Sequence, residues 1–157
     1  TRVRSSAASD VYKRQVFAGY WQNEDATADA FINIDGKDFF RTGDIGYYDE
    51  DGYFYFVDRL KRMINVSGLK VWPAEVEAIL HSHPAILEAC VVGDSDPRTG
   101  ERVRAVVVLN DKEKKLSKDS FIEWCGKNMA HYKVPKSLEI RTNLPRGSAG
   151  KVLWKDL

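Results

Sequence analysis

Two runs of aromatic and β-branched residues, at 45–48 and 53–57, stand on either side of a short acidic segment. The segment between them is Asp49-Glu50-Asp51-Gly52. An Asp-Gly pair between apolar runs is typical of a β-hairpin. Because every residue from 53 to 57 is apolar, we expect the second strand to be buried on both faces. Upstream of this hairpin, the pattern predicts a short helix at 25–31 and a strand at 39–41.

From residue 63 onward, the apolar positions switch between strand-like and helix-like spacing. Pro73 suits the first position of a helix whose apolar face is formed by Val76, Ile79 and Leu80. Ser117 can cap a second helix. The apolar face of that helix comprises Phe121, Ile122, Cys125 and Met129. Strands are predicted at 63–66, 69–72, 86–92, 102–109 and 137–140, with 93–100 as a loop. The order ββαββαβ predicts an α+β fold with short sheets and two to three helices.

A change in composition at residues 58–62 suggests how the chain is divided. The sequence there is Asp58-Arg59-Leu60-Lys61-Arg62, which is charged and contains no glycine. Such a run is typical of a solvated surface segment or a linker. We therefore place a domain boundary here and predict one part over 16–60 and a second over 61–157.

The first fifteen residues are treated separately. They are basic and rich in serine and alanine, but they lack the apolar segment of a secretory signal. The run from Asp10 to Gln15, DVYKRQ, is also the translation of a widely used transposon-end sequencing adapter. We interpret residues 1–15 as a sequencing or assembly artefact, with a mitochondrial presequence as the alternative.

Composition and charge narrow the classes of protein. With 43% hydrophobic and 30% charged residues, the chain has the composition of a globular protein. A formal net charge of +1 gives no electrostatic reason to expect a nucleic-acid partner. Cys90 and Cys125 are too few for a disulfide framework and match no zinc motif. No apolar run approaches the roughly 20 residues that a transmembrane helix needs. We expect a cytoplasmic, reducing location and no metal site.

Four short segments could carry chemistry, although each also has an ordinary structural explanation. Asp44, beside a glycine, can accept hydrogen bonds from two ribose hydroxyls or simply stabilise a turn. The 58–62 run can contact a nucleotide or remain solvated. Gly68 can let the backbone approach a ligand or satisfy a positive φ. Lys151, at the end of the glycine-containing stretch 143–150, can present an ammonium group to developing negative charge.

In this order and at these separations, the segments resemble the acyl-adenylate-forming enzymes. That superfamily includes acyl-CoA synthetases, coumarate–CoA ligases, luciferases and the adenylation domains of peptide synthetases. The segments that carry the resemblance are GYWQNEDATADAF, FRTGDIG, DEDGYFYFVDRLKRMINVSGLKVWPAEVEAIL, HYKVP and LPRGSAGK. The resemblance implies that 16–60 is the end of a large AMP-binding domain and that 61–157 is the mobile C-terminal domain.

The resemblance also implies roles for individual residues. Asp44 would hold the ribose hydroxyls of ATP with help from Arg59. Lys61 would be the hinge about which the C-terminal domain rotates. Ser67-Gly68 would line the tunnel for the CoA pantetheine, and Lys151 would bridge the substrate carboxylate and the α-phosphate during adenylation. Gly147 departs from the family, which usually has Asn or Thr at this position.

The implied function is that of an ATP-dependent acid–CoA ligase acting on a medium- or long-chain fatty acid. ATP with magnesium, held mainly by the absent upstream domain, and CoA would be the co-substrates, and the fragment alone would not adenylate. One alternative is an adenylation domain that loads a carrier-protein thiol, and another is a non-catalytic binding module of similar fold. A third expectation is that residues 17–57 fold poorly without the domain on which they pack. The oligomeric state stays open.

Overall fold

The computed structural model describes residues 16–110 and 116–157. The chain divides into two compact units, one ending at Gly43 and the other running from Asp44 to Leu157. The interpretation of residues 1–15 as an artefact lies outside the described residues. The boundary predicted at 58–62 concerns the intact protein and stays a prediction.

Within the described residues 16–43, the first unit contains one helix and one hairpin. Helix α1 spans Glu24–Ala30, close to the predicted 25–31, and Asn23 caps it by accepting a hydrogen bond from the Ala26 amide at 3.0 Å. Strand β1, Phe31–Ile34, pairs antiparallel with β2, Lys37–Phe40. The sequence reasoning predicted only the second strand. The turn between the two strands is the Asp35-Gly36 pair, which has positive φ at both residues. Such a pair is a hairpin signal, and the prediction did not include it.

The second unit opens with the hairpin predicted from the Asp-Gly turn. Strand β3, Asp44–Tyr48, pairs antiparallel with β4, Phe54–Arg59. The prediction that the second strand is buried on both faces is wrong, since Phe54 is 85% exposed and Phe56 is 64% exposed. The two strands form a separate two-stranded sheet. A strand that is apolar on both faces needs other elements packed on each face, and this hairpin by itself does not provide them.

In the described residues after this hairpin, the second unit has a five-stranded sheet and two α-helices, as the order ββαββαβ predicts. The strands are β5 Ile64–Val66, β6 Leu69–Val71, β7 Ile86–Asp96, β8 Gly100–Leu109 and β9 Ser137–Arg141, and the helices are α2 Pro73–Leu80 and α3 Lys118–Asn128. The sheet order is β6-β5-β8-β7, and β9 pairs parallel with β8. The α+β fold class is therefore confirmed.

The predicted loop at 93–100 is wrong over its first half, because β7 continues to Asp96. Gly93 and Asp94 stay in register with Val103 and Arg102 on β8. Asp94 also forms an ion pair with Arg104, with Nε and Oδ1 2.8 Å apart. Cross-strand charge pairs of this kind let a polar sequence remain in a ladder, which composition alone does not reveal.

The two longest strands, β7 and β8, are covered on both faces. Alternate residues, including Val91, Val103 and Val107, pack with α2 and α3. The opposite face, which includes Cys90 and Val106, packs against the C-terminal segment. That segment contributes Leu144, Val152, Trp154 and Leu157. The loop that carries Lys151 is therefore fixed to the sheet on both of its sides.

Candidate functional site

Asp44 and Arg59 are brought together by the β3–β4 hairpin. They are direct cross-strand partners, and Arg59 Nε lies 2.7 Å from Asp44 Oδ1. The side chains are 59% exposed for Arg59 and 36% for Asp44. An exposed pair of this kind contributes at most about 1 kcal/mol to stability. The pair instead fixes the orientation of the Asp44 carboxylate, which solvent or a ligand can still reach.

Asp58 is the buried charged residue of the predicted linker and was not singled out from the sequence. Its side chain is 2% exposed, and its carboxylate accepts hydrogen bonds from the Arg59 amide at 2.7 Å and the Ala74 amide at 2.8 Å. Ala74 lies in the first turn of α2, where Trp72 provides no side-chain cap. The expectation of a solvated run is therefore wrong at Asp58. Its partner is 16 residues away in sequence, so no local pattern identifies it.

Arg62 continues the same cluster toward helix α2. Its guanidinium bonds to Glu77, lies 3.6 Å from Asp58 Oδ1 and lies 3.4 Å from the Val91 carbonyl oxygen. Burial disfavours the charged form of Arg62, but the hydrogen bond to Glu77 and the charges of Glu77 and Asp58 outweigh burial and raise its pKa. Arg62 is 17% exposed, so the solvated-run expectation is wrong here too.

Lys61 lies between Asp58 and Arg62 in the sequence. It is part of a short 3-10 helix, Leu60–Arg62, and its side chain is exposed. It lines a surface cavity of about 330 Å³ together with Arg104, Trp154 and Lys155. The role of Lys61 as a hinge stays a prediction.

Ser67-Gly68 forms the turn between β5 and β6, with φ of 51° and 84°. The Ser67 amide donates to the Thr99 carbonyl at 2.8 Å, which ties this turn to the β7–β8 turn. A Cβ on Gly68 would meet no atom within 4 Å. Within this structure, the positive φ is sufficient reason for glycine. The role of Ser67-Gly68 in CoA binding stays a prediction.

Lys151 is exposed at the end of an ordered loop. The Gly147 amide donates to the Lys151 carbonyl at 2.9 Å, and the Gly150 amide donates to the Gly147 carbonyl at 2.9 Å. Arg146 holds the loop from the side, with Nη1 2.8 Å from the Gly150 carbonyl oxygen and Nη2 2.6 Å from Glu88 Oε2. Arg146 was not singled out from the sequence, because its partner Glu88 lies on a distant strand.

The departure at Gly147 has a local reason. A Cβ at this position would lie 3.3 Å from Leu153 Cδ2, which is tighter than ordinary van der Waals contact. The Asn or Thr usual in the family would therefore require Leu153 to shift. The glycine suits the close approach of the two ends of the Lys151 loop.

The cavity beside Lys151 has a volume of about 290 Å³ and is also lined by Arg62, Glu77 and Cys90. Burial, followed by the charge of Glu77, raises the pKa of the Cys90 thiol to about 11. Cys90 is therefore protonated at neutral pH and is not a nucleophile.

The predicted site residues occupy four places in the fold. Asp44 and Arg59 are joined, while Lys61, Ser67-Gly68 and Lys151 lie on three other elements. In the described part of the chain, no three His, Cys, Asp or Glu side chains form a group that could hold a metal ion. No helix of residues 16–110 or 116–157 is long and apolar enough to cross a membrane.

Sequence comparison identifies the domain in the C-terminal part of the chain. Residues 75–151 match the model of the AMP-binding enzyme C-terminal domain. This part of the chain therefore belongs to the family of AMP-binding enzyme C-terminal domains.

Relatives of known function agree with this family. The chain is 44% identical over 144 residues to a crotonobetaine/carnitine–CoA ligase of Salmonella heidelberg strain SL476, covering 92% of the chain and 27% of the relative. The o-succinylbenzoate CoA synthetase of Bacillus subtilis, solved with its acyl-adenylate intermediate, is 35% identical with a TM-score of 0.73. That match covers 87% of this chain and 27% of the synthetase.

A fatty acyl CoA synthetase of Mycobacterium tuberculosis is 40% identical with a TM-score of 0.63, over 88% of this chain and 26% of that enzyme. The chain thus spans about a quarter of the length of the relatives that it matches.

Proposed function

We propose that the intact protein is an ATP-dependent, AMP-forming acid–CoA ligase. The observation that carries the proposal is the ordered, exposed loop that ends at Lys151 in a chain of the AMP-binding enzymes. The three relatives described above are CoA ligases. In the first proposed step the carboxylate attacks the α-phosphate of ATP, which forms an acyl-adenylate and releases pyrophosphate. In the second, the thiol of CoA attacks the acyl carbonyl, forms the thioester and releases AMP and a proton.

Each predicted site residue has a proposed part in these two steps. Asp44, oriented by Arg59, would accept hydrogen bonds from the ribose hydroxyls of ATP. The Lys151 ammonium would stabilise the charge that develops when a carboxylate attacks the α-phosphate. Rotation at Lys61 would then withdraw Lys151 and bring up Ser67-Gly68 for the CoA thiol. Magnesium would enter with ATP and be held mainly by residues outside this chain.

For the acid, we propose a medium- or long-chain fatty acid. The 40% identity to a fatty acyl CoA synthetase supports this choice. The 44% identity to crotonobetaine/carnitine–CoA ligase favours a second candidate, a short acid that carries a quaternary ammonium group. We also propose a cytoplasmic location, which suits two buried free thiols, with peripheral membrane association if the acid is long-chain.

The test is AMP and acyl-CoA formation by the full-length protein with octanoate, palmitate, crotonobetaine and o-succinylbenzoate. Octanoate or palmitate should give the highest kcat/KM. Lys151→Ala should lower adenylation roughly a hundred- to thousandfold. It should leave CoA attack on a supplied acyl-adenylate largely intact.

Lys155→Ala is the matched control, since Lys155 is another exposed lysine of the C-terminal segment. Wild-type adenylation by Lys151→Ala would contradict the role of Lys151. Transfer to a carrier-protein thiol but not to CoA would favour the adenylation-domain alternative. Binding without any AMP formation would favour the non-catalytic module.

A further inference from the structure

The carboxylate of Asp58 connects the two sides of the segment that contains Lys61. Asp58 is the next-to-last residue of β4 and precedes Lys61 in the chain. Its Oδ2 accepts the hydrogen bond from the Ala74 amide at 2.8 Å, and its Oδ1 lies 3.6 Å from Arg62 Nη1. Ala74 and Arg62 both follow Lys61, so these contacts cross the proposed hinge.

Helix α2 depends on Asp58 for its N-terminal cap. The residue at its own N-cap position, Trp72, makes no side-chain capping bond, and Pro73 follows it. The first amides of a helix need acceptors, and their partial positive charge favours a carboxylate. Asp58 is 2% exposed and meets this need from another element. Because the carboxylate is held on β4, its contact with α2 depends on how β4 is oriented relative to the helix.

The other half of the cluster lies entirely after Lys61. Glu77 accepts hydrogen bonds from Arg62 and from the Val91 amide, the latter at 2.8 Å. Arg62 also reaches the Val91 carbonyl. Rotation of the backbone at Lys61 leaves these contacts in place, because all three residues move together. Among the side-chain contacts of this cluster, those of Asp58 with Ala74 and Arg62 cross Lys61, so rotation there would separate them.

We propose that Asp58 is a positioning residue that stabilises one of the two domain orientations of the ligase by capping α2 across the hinge. The inference rests on the proposed function, since it takes Lys61 as the point of rotation. In the orientation that the structure shows, the Ala74 amide is bonded to Asp58. In the other, Asp58 and the first turn of α2 separate, and each exchanges its partner for water. Asp58 therefore sets the ratio of the two orientations and, through it, the relative rates of the two half-reactions.

The experiment compares Asp58→Asn with Glu75→Gln in the full-length protein. Asn preserves the size of the side chain but removes the charge that favours the helix N-terminus. Glu75 lies on the same helix and pairs with Lys133, so neutralising it leaves the contacts of Asp58 unchanged. Two rates are measured for each variant: adenylation, as pyrophosphate release with the acid of the panel above that the wild type uses best, and thioester formation from the synthetic acyl-adenylate of that acid with CoA.

Asp58→Asn should change the ratio of the two rates by roughly two- to thirtyfold, the range expected for loss of a buried negative charge at a helix N-terminus. Glu75→Gln should leave the ratio at the wild-type value. An unchanged ratio in Asp58→Asn would overturn the proposal, even if both rates fall equally. The same change of the ratio in Glu75→Gln would also overturn it.

A second measurement does not depend on ligase activity. Trypsin cuts after Arg59, Lys61 and Arg62 only when this segment opens. Asp58→Asn should accelerate cleavage within residues 59–62 several-fold, and Glu75→Gln should not. If the wild-type protein catalyses neither half-reaction, the ligase assignment is contradicted but the role of Asp58 is not. The cleavage rates then decide the role of Asp58. Equal cleavage of wild type and Asp58→Asn would overturn it.

Discussion

At the scale of single residues, the side chain that orders the Lys151 loop is Arg146. Its guanidinium joins the Gly150 carbonyl oxygen to the Glu88 carboxylate on β7. The planar fork of arginine presents two donors in a fixed geometry to these two acceptors, whereas the ammonium of lysine is a single point of charge on a flexible stem. The position of Lys151 therefore depends on a residue five places before it and on a strand from a different part of the chain.

We expect Arg146→Ala to lower the adenylation rate of the full-length protein by about tenfold while leaving thioester formation unchanged. The reason is that the Lys151 ammonium is no longer held in one place, so fewer molecules present it to the α-phosphate. Both half-reactions are measured as for the Lys151 variant.

Arg141→Ala is the control for this residue. Arg141 also pairs with a glutamate, Glu139, but lies on β9 outside the loop. An equal loss in both arginine variants, or a loss in thioester formation, would show that Arg146 acts on the fold rather than on Lys151.

At the scale of elements, the helices followed the sequence closely because their signals are local. Ser117 caps α3 as predicted, and its Oγ accepts a hydrogen bond from the Ser120 amide at 3.1 Å. The predicted residues Phe121 and Cys125 are fully buried. Strand ends were harder to predict. The last residues of β7 are polar, and only their partners on β8 keep them in the sheet.

We expect Ser117→Ala to lower the free energy of unfolding of the domain by about 1 kcal/mol, because the capped amide loses its acceptor. Urea unfolding followed by far-UV circular dichroism measures this change. Ser148→Ala, at an exposed position outside any helix, should change the free energy by less than about 0.5 kcal/mol. A loss in Ser148→Ala as large as in Ser117→Ala would mean that the capping bond is not the cause.

At the scale of the whole molecule, the β3–β4 hairpin carries aromatic side chains that the described residues of its own unit leave exposed. Tyr48, Phe54 and Phe56 are 72%, 85% and 64% exposed. An apolar patch of this kind marks a surface that packs on another part of a protein or on a partner. The chain spans 27% of the length of the ligase that it matches, and the packing of this region beside a larger domain stays a prediction.

We expect the isolated chain to self-associate through this hairpin, and Phe54→Lys to reduce the association several-fold by adding charge to the patch. Sedimentation velocity at several concentrations measures the effect. Leu87→Lys is the control, since Leu87 is 58% exposed but lies on β7, outside the hairpin, and the change in net charge is the same. Equal effects of the two variants would indicate that net charge, not the hairpin surface, governs the self-association.

The sequence by itself determined the order of elements in the C-terminal part, both helix starts and the family to which the chain belongs. These depend on spacing within a few residues, such as the Asp-Gly turn and Ser117, or on motifs such as FRTGDIG that persist in linear order. Features that depend on residues close together in the chain can be predicted from the sequence alone.

Only the tertiary structure decided that Asp58 is buried, that Arg62 bonds to Glu77 and that Arg146 bonds to Glu88. The partners in these contacts are 15 to 58 residues apart, and charged residues in a run are exposed by default. Whether a particular charge is buried depends on which helix end or carboxylate the fold brings to it. That is a property of packing, which local composition does not contain.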